Sequence, residues 1–217
     1  MSFAFNGTSQ YLTKTVSNEP ANWPVTMFVR ALSNSLATTT VALSFVQLSS
    51  PLNGLLLGIS GTAGLRFFFN RFGPSQVSSG DAVTGTWYGM GARGVADATF
   101  SVAYDGTIVS GSGSQAYATA QPPLVFAVGA RVVVGSQLYL NGNCASAAMW
   151  TAELTDGEMA SLAAGFSPRR VRPQSLFIYA PLVREPVITA YKGPGTPGSL
   201  TLVGTPSAAN HPRTYGM

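Results

Sequence analysis

The sequence predicts an all-β protein, an antiparallel β-sandwich with one short helix near residues 155–164. Three observations support this prediction. Short runs of alternating apolar and polar residues recur along the chain, turn-forming residues separate them, and only one stretch carries a clear helix signature. At 217 residues the chain is long enough to bury the core of one large sandwich.

The strand-like segments begin close to the N-terminus. Residues 2–12 form two short apolar runs around Asn6-Gly7, a dipeptide typical of tight hairpin turns. Residues 26–32 follow after a loop and alternate between two faces. Further predicted strands cover residues 41–48, 54–60, 64–70, 85–91, 99–109 and 124–134.

The predicted helix follows a strand that ends on Trp150. Thr155 stands where an N-cap belongs, and Glu158 lies three residues later, which together form a capping box. Met159 and Leu162 lie on one face, and Gly165 is suited to end the helix. One capped helix within a long series of strands is the feature that most restricts the choice of fold.

The C-terminal part of the chain has a different composition. A strand over residues 176–183 completes the predicted sandwich, which we assign to residues 1–183. Residues 184–217 are rich in proline and glycine, and only 199–203 look like a strand. We interpret this segment as an arm that either packs back on the sandwich or reaches a neighbouring copy. Its removal is expected to leave the sandwich folded.

Several short motifs resemble the laminin-G-like, concanavalin A-like jelly-roll domains. They are the opening segment 2–12, the strand containing Trp87, the tripeptide 129–131 and the closing strand and helix from Trp150 to Leu162. Tyr88 and Gly89 stand where that family usually has histidines. The resemblance implies a jelly-roll sandwich. Residues 199–213 also resemble the C-terminal arm of tailed-bacteriophage virion proteins, including capsid decoration proteins.

Composition argues against several classes of protein. Charged residues make up 9% of the chain, well below the roughly 25% usual for soluble domains, which favours an assembled state. A formal net charge of +4 without an extended basic face does not indicate nucleic-acid binding. The single cysteine, Cys144, excludes an intrachain disulfide. We see no signal peptide and no apolar run of membrane-spanning length.

Catalytic and metal-binding patterns are scarce in the sequence. His211 is the only histidine, and no strand carries the paired carboxylates that glycoside hydrolysis requires. The cluster that includes Glu153, Asp156 and Glu158 is explained by helix capping. Calcium, a trait of the resembled family, would have Asp97 and Asp105 as candidate ligands. The sequence therefore predicts a protein that is not an enzyme and has no cofactor.

The leading hypothesis for function is a structural virion protein that decorates or cements a phage capsid, made in the host cytoplasm and located on the capsid exterior. Its expected partners are the major capsid protein and neighbouring copies of itself, with no nucleic acid and no membrane. The candidate interface residues belong to the segment after the helix and to the arm; they are Arg169, Arg170, Arg172, Leu200, Leu202, His211, Pro212 and Arg213.

The alternative hypothesis is a carbohydrate-binding module or adhesin of a phage or bacterial surface. Sandwich lectins stack sugars on exposed aromatic rings and orient them with Asn, Asp and Gly, so aromatic residues are the candidates. The possible glycan contacts are Trp23, Tyr88 and Tyr117.

Overall fold

The computed structural model describes residues 2–16, 24–47, 54–60, 66–71, 76–79, 82–96, 99–112, 124–133, 137–183, 190–191 and 198–210. One α-helix, α1, spans Asp156–Ala163 within these ranges. The strands are β1 (Ser2–Asn6), β2 (Tyr11–Val16), β3 (Val25–Ser33), β4 (Thr40–Gln47), β5 (Gly54–Ser60), β6 (Arg66–Arg71), β7 (Gln76–Ser79), β8 (Tyr88–Ala96), β9 (Thr99–Tyr104), β10 (Thr107–Ser112), β11 (Leu124–Val128), β12 (Ala130–Arg131), β13 (Leu138–Tyr139), β14 (Asn141–Trp150), β15 (Leu176–Ala180), β16 (Ala190–Tyr191), β17 (Thr201–Val203) and β18 (Ser207–Ala209).

Two antiparallel sheets form the sandwich. Sheet A has the order β10-β9-β8-β3-β14-β1-β18, with β15 beside β14 and β16 beside β15. Sheet B has the order β17-β2-β11-β4-β5-β6-β7, and β12 and β13 form a separate hairpin. The predicted all-β antiparallel sandwich with a single short helix is thus confirmed for the described residues.

The main core lies between the two sheets. Alternate residues of each strand point into it, as Met27 and Val29 do from sheet A and Leu55 and Leu57 do from sheet B. The rings of Phe45 and Phe177 meet edge to face across this core, with centroids 6.5 Å apart. Cys144 is buried in the same cluster, and burial raises the pKa of its thiol, as expected for an inert structural cysteine.

Helix α1 covers the outer face of sheet A and creates a second apolar cluster there. Met159 and Leu162 pack with Trp150, whose indole Nε1 donates a hydrogen bond to the Val171 carbonyl at 2.9 Å. The predicted capping box is present. The Glu158 amide donates to the Thr155 hydroxyl at 3.3 Å, and the Thr155 amide donates to the Glu158 carboxylate at 2.7 Å.

The helix lies close to sheet A because strand β8 carries glycines on its outer face. A β-carbon on Gly89 would lie 2.9 Å from the α-carbon of Ala163, and one on Gly91 would overlap the methyl group of Met159. These glycines belong to the segment in which the sequence departs from the histidine pattern of the resembled family. Their missing side chains make room for the helix.

The C-terminal part of the chain contributes strands to both sheets. β17 pairs with β2 at the edge of sheet B, and β18 pairs with β1 at the edge of sheet A. We call residues 198–210, which contain both strands, the C-terminal strap. Leu200 of the strap is buried in the main core. The sequence assigns these residues to an arm beyond residue 183. In the structure they pack back on the sandwich, because β17 and β18 complete the rows of backbone hydrogen bonds that β2 and β1 would otherwise leave open.

An ion pair at the start of helix α1 makes stability depend on pH. Burial alone would raise the pKa of Glu158. The net pKa nevertheless lies below its usual value, because the carboxylate accepts hydrogen bonds from the Thr155 backbone, the Arg172 guanidinium and the Thr155 hydroxyl. The positive charge of Arg172 lowers the pKa further. A carboxylate whose pKa is lower in the folded than in the unfolded state stabilises the folded protein. This contribution is complete above the unfolded-state pKa, and it is lost as the pH falls through the folded-state pKa.

We therefore expect Glu158→Gln to reduce the acid sensitivity of folding. Between about pH 5 and pH 3 the melting temperature of the Glu158→Gln protein should fall less steeply than that of the unmodified protein, because the unfolded carboxyl titrates near pH 4.3. Glu153→Gln is the matched control, since Glu153 lies 3.6 Å from Arg93 in a longer ion pair whose carboxylate is more exposed than that of Glu158. Equal slopes for the Glu158→Gln and unmodified proteins would show that the Glu158 pair does not contribute.

Candidate functional site

A cleft opens on the outer face of sheet A, beside the C-terminal end of helix α1. Arg30 of β3, Ser146 of β14 and Tyr179 of β15 line the cleft from the sheet. Phe166 and Pro168 line it from the segment that follows the helix. We call this depression the Phe166 cleft.

The end of helix α1 orients Phe166 toward solvent. Gly165 has a φ of +100°, a backbone conformation that side chains disfavour, and this turns the chain out of the helix. The Phe166 amide still donates to the Ser161 carbonyl at 3.0 Å, which fixes the turn. The side chain is 48% exposed, unusually high for a phenylalanine.

Arg30 is the main cation of the cleft. Its Nη2 donates to the Ala163 carbonyl at 2.5 Å, where the helix has no basic residue in its own last turn. Burial lowers the pKa of Arg30, and the nearby Asp105 carboxylate opposes that shift. Asp105 also accepts a hydrogen bond from the Gly89 amide at 2.8 Å. The guanidinium charge is therefore largely balanced by protein groups.

Hydroxyl groups supply the remaining polarity of the cleft. Burial raises the pKa of Tyr179, while a hydrogen bond with Ser167 and the charge of Arg169 act in the opposite direction. Ser146 lies in the cleft wall and is almost fully buried. The cleft thus combines one exposed aromatic ring, apolar walls and several hydroxyl or guanidinium donors.

The depth of the cleft limits what it can hold. It encloses about 20 Å³, enough for one water molecule. A larger ligand would lie over the opening, with the Phe166 ring beneath it. Such a shallow site can bind a flat molecule, and polar groups at its floor can orient that molecule.

A second, open depression lies at the start of helix α1, and its charges are used within the protein. Arg93 contacts Asp156 at 2.5 Å and donates to the Leu154 carbonyl at 2.6 Å. This arrangement fixes the segment between β14 and the helix to strand β8. We assign it a structural role.

The residues described by the structure contain no group of three or more His, Cys, Asp or Glu side chains placed to hold a metal ion. Of the two predicted calcium ligands, Asp105 forms the turn between β9 and β10 with a φ of 42°, as expected for a hairpin residue. Asp97 lies outside the described residues. No helix in the described ranges is long and apolar enough to span a membrane.

The predicted interface arginines have different environments. Arg169 and Arg170 are exposed on a short 3₁₀ turn after the helix. Arg172 forms a bidentate pair with Glu158, with nitrogen–oxygen distances of 2.6 and 3.0 Å, and also donates to the Glu153 carbonyl. This bonding holds Arg172 against the helix start and leaves it little freedom to contact a partner.

The predicted strap residues are also divided between core and surface. Leu200 is only 2% exposed and belongs to the core, whereas Leu202 is 47% exposed. His211, Pro212 and Arg213 lie outside the described residues.

Of the aromatic residues predicted to contact glycan, only Tyr88 is described by the structure. It is 8% exposed, and its hydroxyl accepts a hydrogen bond from the Val83 amide at 2.9 Å. Tyr88 is therefore a core residue whose ring is not available for stacking. Trp23 and Tyr117 lie outside the described residues.

Sequence reasoning missed Phe166. Its exposure depends on the turn at Gly165, and no periodic pattern marks the residue after a helix-ending glycine as exposed. The available signal was a large apolar residue between two residue types that end helices, Gly165 and Pro168.

Comparison with known proteins identifies the fold. No protein-family model matches the sequence, and no curated protein does. A heptameric SAP-like pentraxin from Limulus polyphemus matches with a TM-score of 0.57 and 15% identity, over 75% of this chain and 81% of that chain. The CBM40 of Ruminococcus gnavus IT-sialidase, bound to α2,3-sialyllactose, matches with a TM-score of 0.55 and 13% identity, over 73% of this chain and 97% of that chain.

Domain 4 of AbnA, a GH43 extracellular arabinanase from Geobacillus stearothermophilus in complex with arabinotriose, matches with a TM-score of 0.54 and 16% identity, over 75% of this chain and 76% of that one. At these identities the matches establish the concanavalin A-like jelly-roll β-sandwich, which confirms the predicted fold. None of these three proteins is a phage virion protein.

Proposed function

We propose that this protein is a carbohydrate-binding β-sandwich module that binds saccharide over the Phe166 cleft. The observation that carries the proposal is the exposed Phe166 ring beside the hydroxyl and guanidinium donors of the cleft floor. A pyranose ring has an apolar face that stacks on an aromatic ring and a rim of hydroxyls that pairs with such donors. The alternative hypothesis of the sequence analysis thus becomes the leading one, with a different binding residue.

Two similar structures support this class of function. One is a sialidase module bound to sialyllactose, and the other is an arabinanase domain in complex with arabinotriose. For this chain we propose an uncharged saccharide, because Asp105 and the helix carbonyl already balance the charge of Arg30. The sparse charge of the whole chain, 9%, agrees with this choice.

Phe166→Ala is expected to weaken saccharide binding by about tenfold, because losing one stacked ring costs on the order of 1.4 kcal/mol. Isothermal titration of the full chain with cellohexaose, xylohexaose and mannohexaose, three flat uncharged oligosaccharides, measures this effect. Phe166→Tyr should bind within about threefold of the unmodified protein, since the ring is kept.

Val83→Ala is the matched surface control, because Val83 is 58% exposed and does not line the cleft. It should leave binding unchanged. If none of the three oligosaccharides binds, or if Phe166→Ala binds as well as the unmodified protein, the proposed site is wrong.

A second candidate function is the structural one, a subunit of a larger assembly such as a phage capsid. The low charge of the chain favours it, because sparsely charged surfaces associate readily. Light scattering of the full chain across a range of concentrations tests this candidate. A monomer at every concentration would remove the support for self-assembly.

A further inference from the structure

The outer face of sheet B carries a row of hydroxyl side chains beside two tyrosines. Leu12 and Val16 of β2 point into the core, so the alternate residues Tyr11, Thr13 and Thr15 face outward. Strand β17 pairs with β2 so that Thr201 lies opposite Thr13 and Val203 lies opposite Tyr11. Because paired residues point to the same face of a sheet, Thr201 and Val203 also face outward. Together with Tyr139 these outward-facing residues form a surface that we call the tyrosine–threonine patch.

The two tyrosines of the patch contact each other. The rings of Tyr11 and Tyr139 lie with centroids 6.1 Å apart and planes tilted by 39°. Both side chains are half-buried, so each keeps part of its ring at the surface. Burial, and then the neighbouring Tyr139, raise the pKa of Tyr11, in agreement with this proximity. The pair presents an aromatic wall next to the threonine hydroxyls.

The chemistry of the patch suits a neutral, hydroxyl-bearing ligand. None of its six residues is charged. Lys14 of the same strand alternates to the opposite side, where its register partner is the core residue Phe126. A charged ligand would find no counter-charge on these residues, whereas a saccharide could stack on a tyrosine and exchange hydrogen bonds with the threonines.

The position of the patch relative to the Phe166 cleft has a functional consequence. The cleft lies on the outer face of sheet A and the patch on the outer face of sheet B, so the full thickness of the sandwich separates them. Stacked sheets lie about 10 Å apart, and the covering segments add to that distance. One oligosaccharide of a few rings cannot lie on both surfaces at once.

We propose that the tyrosine–threonine patch is a second binding site for uncharged saccharide, and that a single chain therefore links two glycan strands through its two outer faces. This inference rests on the proposed saccharide binding at the Phe166 cleft. Its consequence is cross-linking without oligomerisation, since each chain is itself bivalent.

Binding stoichiometry tests the inference on the full chain. Titration with cellohexaose, xylohexaose and mannohexaose should give two binding events per chain for at least one of them. Tyr139→Ala should lose one event, with at least a tenfold weakening at that site, and Phe166→Ala should lose the other. Tyr139→Phe, which keeps the ring, should retain both events.

Thr13→Val provides a second variant for the patch, because it removes a hydroxyl and keeps the β-branched shape that suits a strand. Thr13→Val should weaken only the binding event at the patch, and the melting temperature of this variant shows whether the fold is intact.

Polysaccharide cross-linking can be measured directly. The unmodified protein should raise the viscosity of hydroxyethylcellulose, xylan or glucomannan solutions. Tyr139→Ala and Phe166→Ala should each abolish that increase.

The outcomes separate this inference from the proposed function. One binding event that Phe166→Ala weakens and the patch variants leave unchanged would overturn the second site and leave the proposed function standing. One event that depends only on the patch would overturn the bivalent arrangement and the cleft assignment. No binding to any of the three oligosaccharides would overturn both.

Discussion

A chain that ends at Val183 is expected to melt about 10 °C below the full chain and to associate through its uncovered strands. The truncation removes β16, β17 and β18, which pair with β15, β2 and β1. It also removes Leu200 from the core, where burying one leucine contributes about 2–3 kcal/mol. A loss of roughly 3 kcal/mol or more lowers the melting temperature of a chain this long by about 10 °C.

The association has a separate physical cause. Without the strap, β1 and β2 become edge strands with open rows of amides and carbonyls next to Phe3 and Phe5 of the core. A chain that ends at Asn210 is the matched control, because it keeps the strap and all three strands. It should melt close to the full chain and stay in the same oligomeric state. If the chain ending at Val183 melts as high as this control, the strap does not contribute to stability.

Gly142→Ala is expected to destabilise the protein by about 3 kcal/mol, at the upper end of the usual cost of overpacking. Gly142 lies in β14 between β3 and β1, paired with Ser33 on one side and Phe5 on the other. A β-carbon there would overlap the Leu32 carbonyl and lie 2.9 Å from the Ser33 α-carbon. Both are backbone atoms of a central strand, so neither yields without displacing the sheet.

Gly157→Ala is the matched control for this substitution. A β-carbon on Gly157, in the first turn of helix α1, would contact nothing within 4 Å, and alanine favours the helix. We expect this variant to be as stable as the unmodified protein or more stable by up to about 1 kcal/mol. Thermal and urea unfolding measure both changes. A Gly142→Ala protein with unmodified stability would mean that β3 and β14 are less closely packed than the structure indicates.

The sequence predicted the features that depend on local pattern. The capping residues Thr155 and Glu158 fixed the helix start, and the observed helix Asp156–Ala163 lies inside the predicted range 155–164. The predicted strand 99–109 is divided into β9 and β10 by a turn at Asp105-Gly106, a dipeptide that is itself a local hairpin signal. The predicted strand 124–134 is interrupted at Gly129, whose φ of +83° ends β11 and starts the hairpin of β12 and β13.

Features that depend on long-range pairing could not be predicted in the same way. Strand β18 has three small residues and no alternating pattern, and it forms because β1 offers an open edge. The Phe166 cleft brings together residues of β3, β14, β15 and the segment after the helix, which are far apart in sequence. The contact between Tyr11 of β2 and Tyr139 of β13 likewise joins residues that are far apart in sequence.

Amide chemical-shift mapping tests saccharide binding at the Phe166 cleft most directly. The labelled full chain is titrated with cellohexaose, xylohexaose and mannohexaose. We expect at least one of them to shift the amides of residues 145–146, 165–167 and 179–180 in a saturable manner, and Phe166→Ala to weaken that response about tenfold. Saturable shifts that leave these three segments unchanged, or no shifts with any of the three oligosaccharides, would contradict the proposed site.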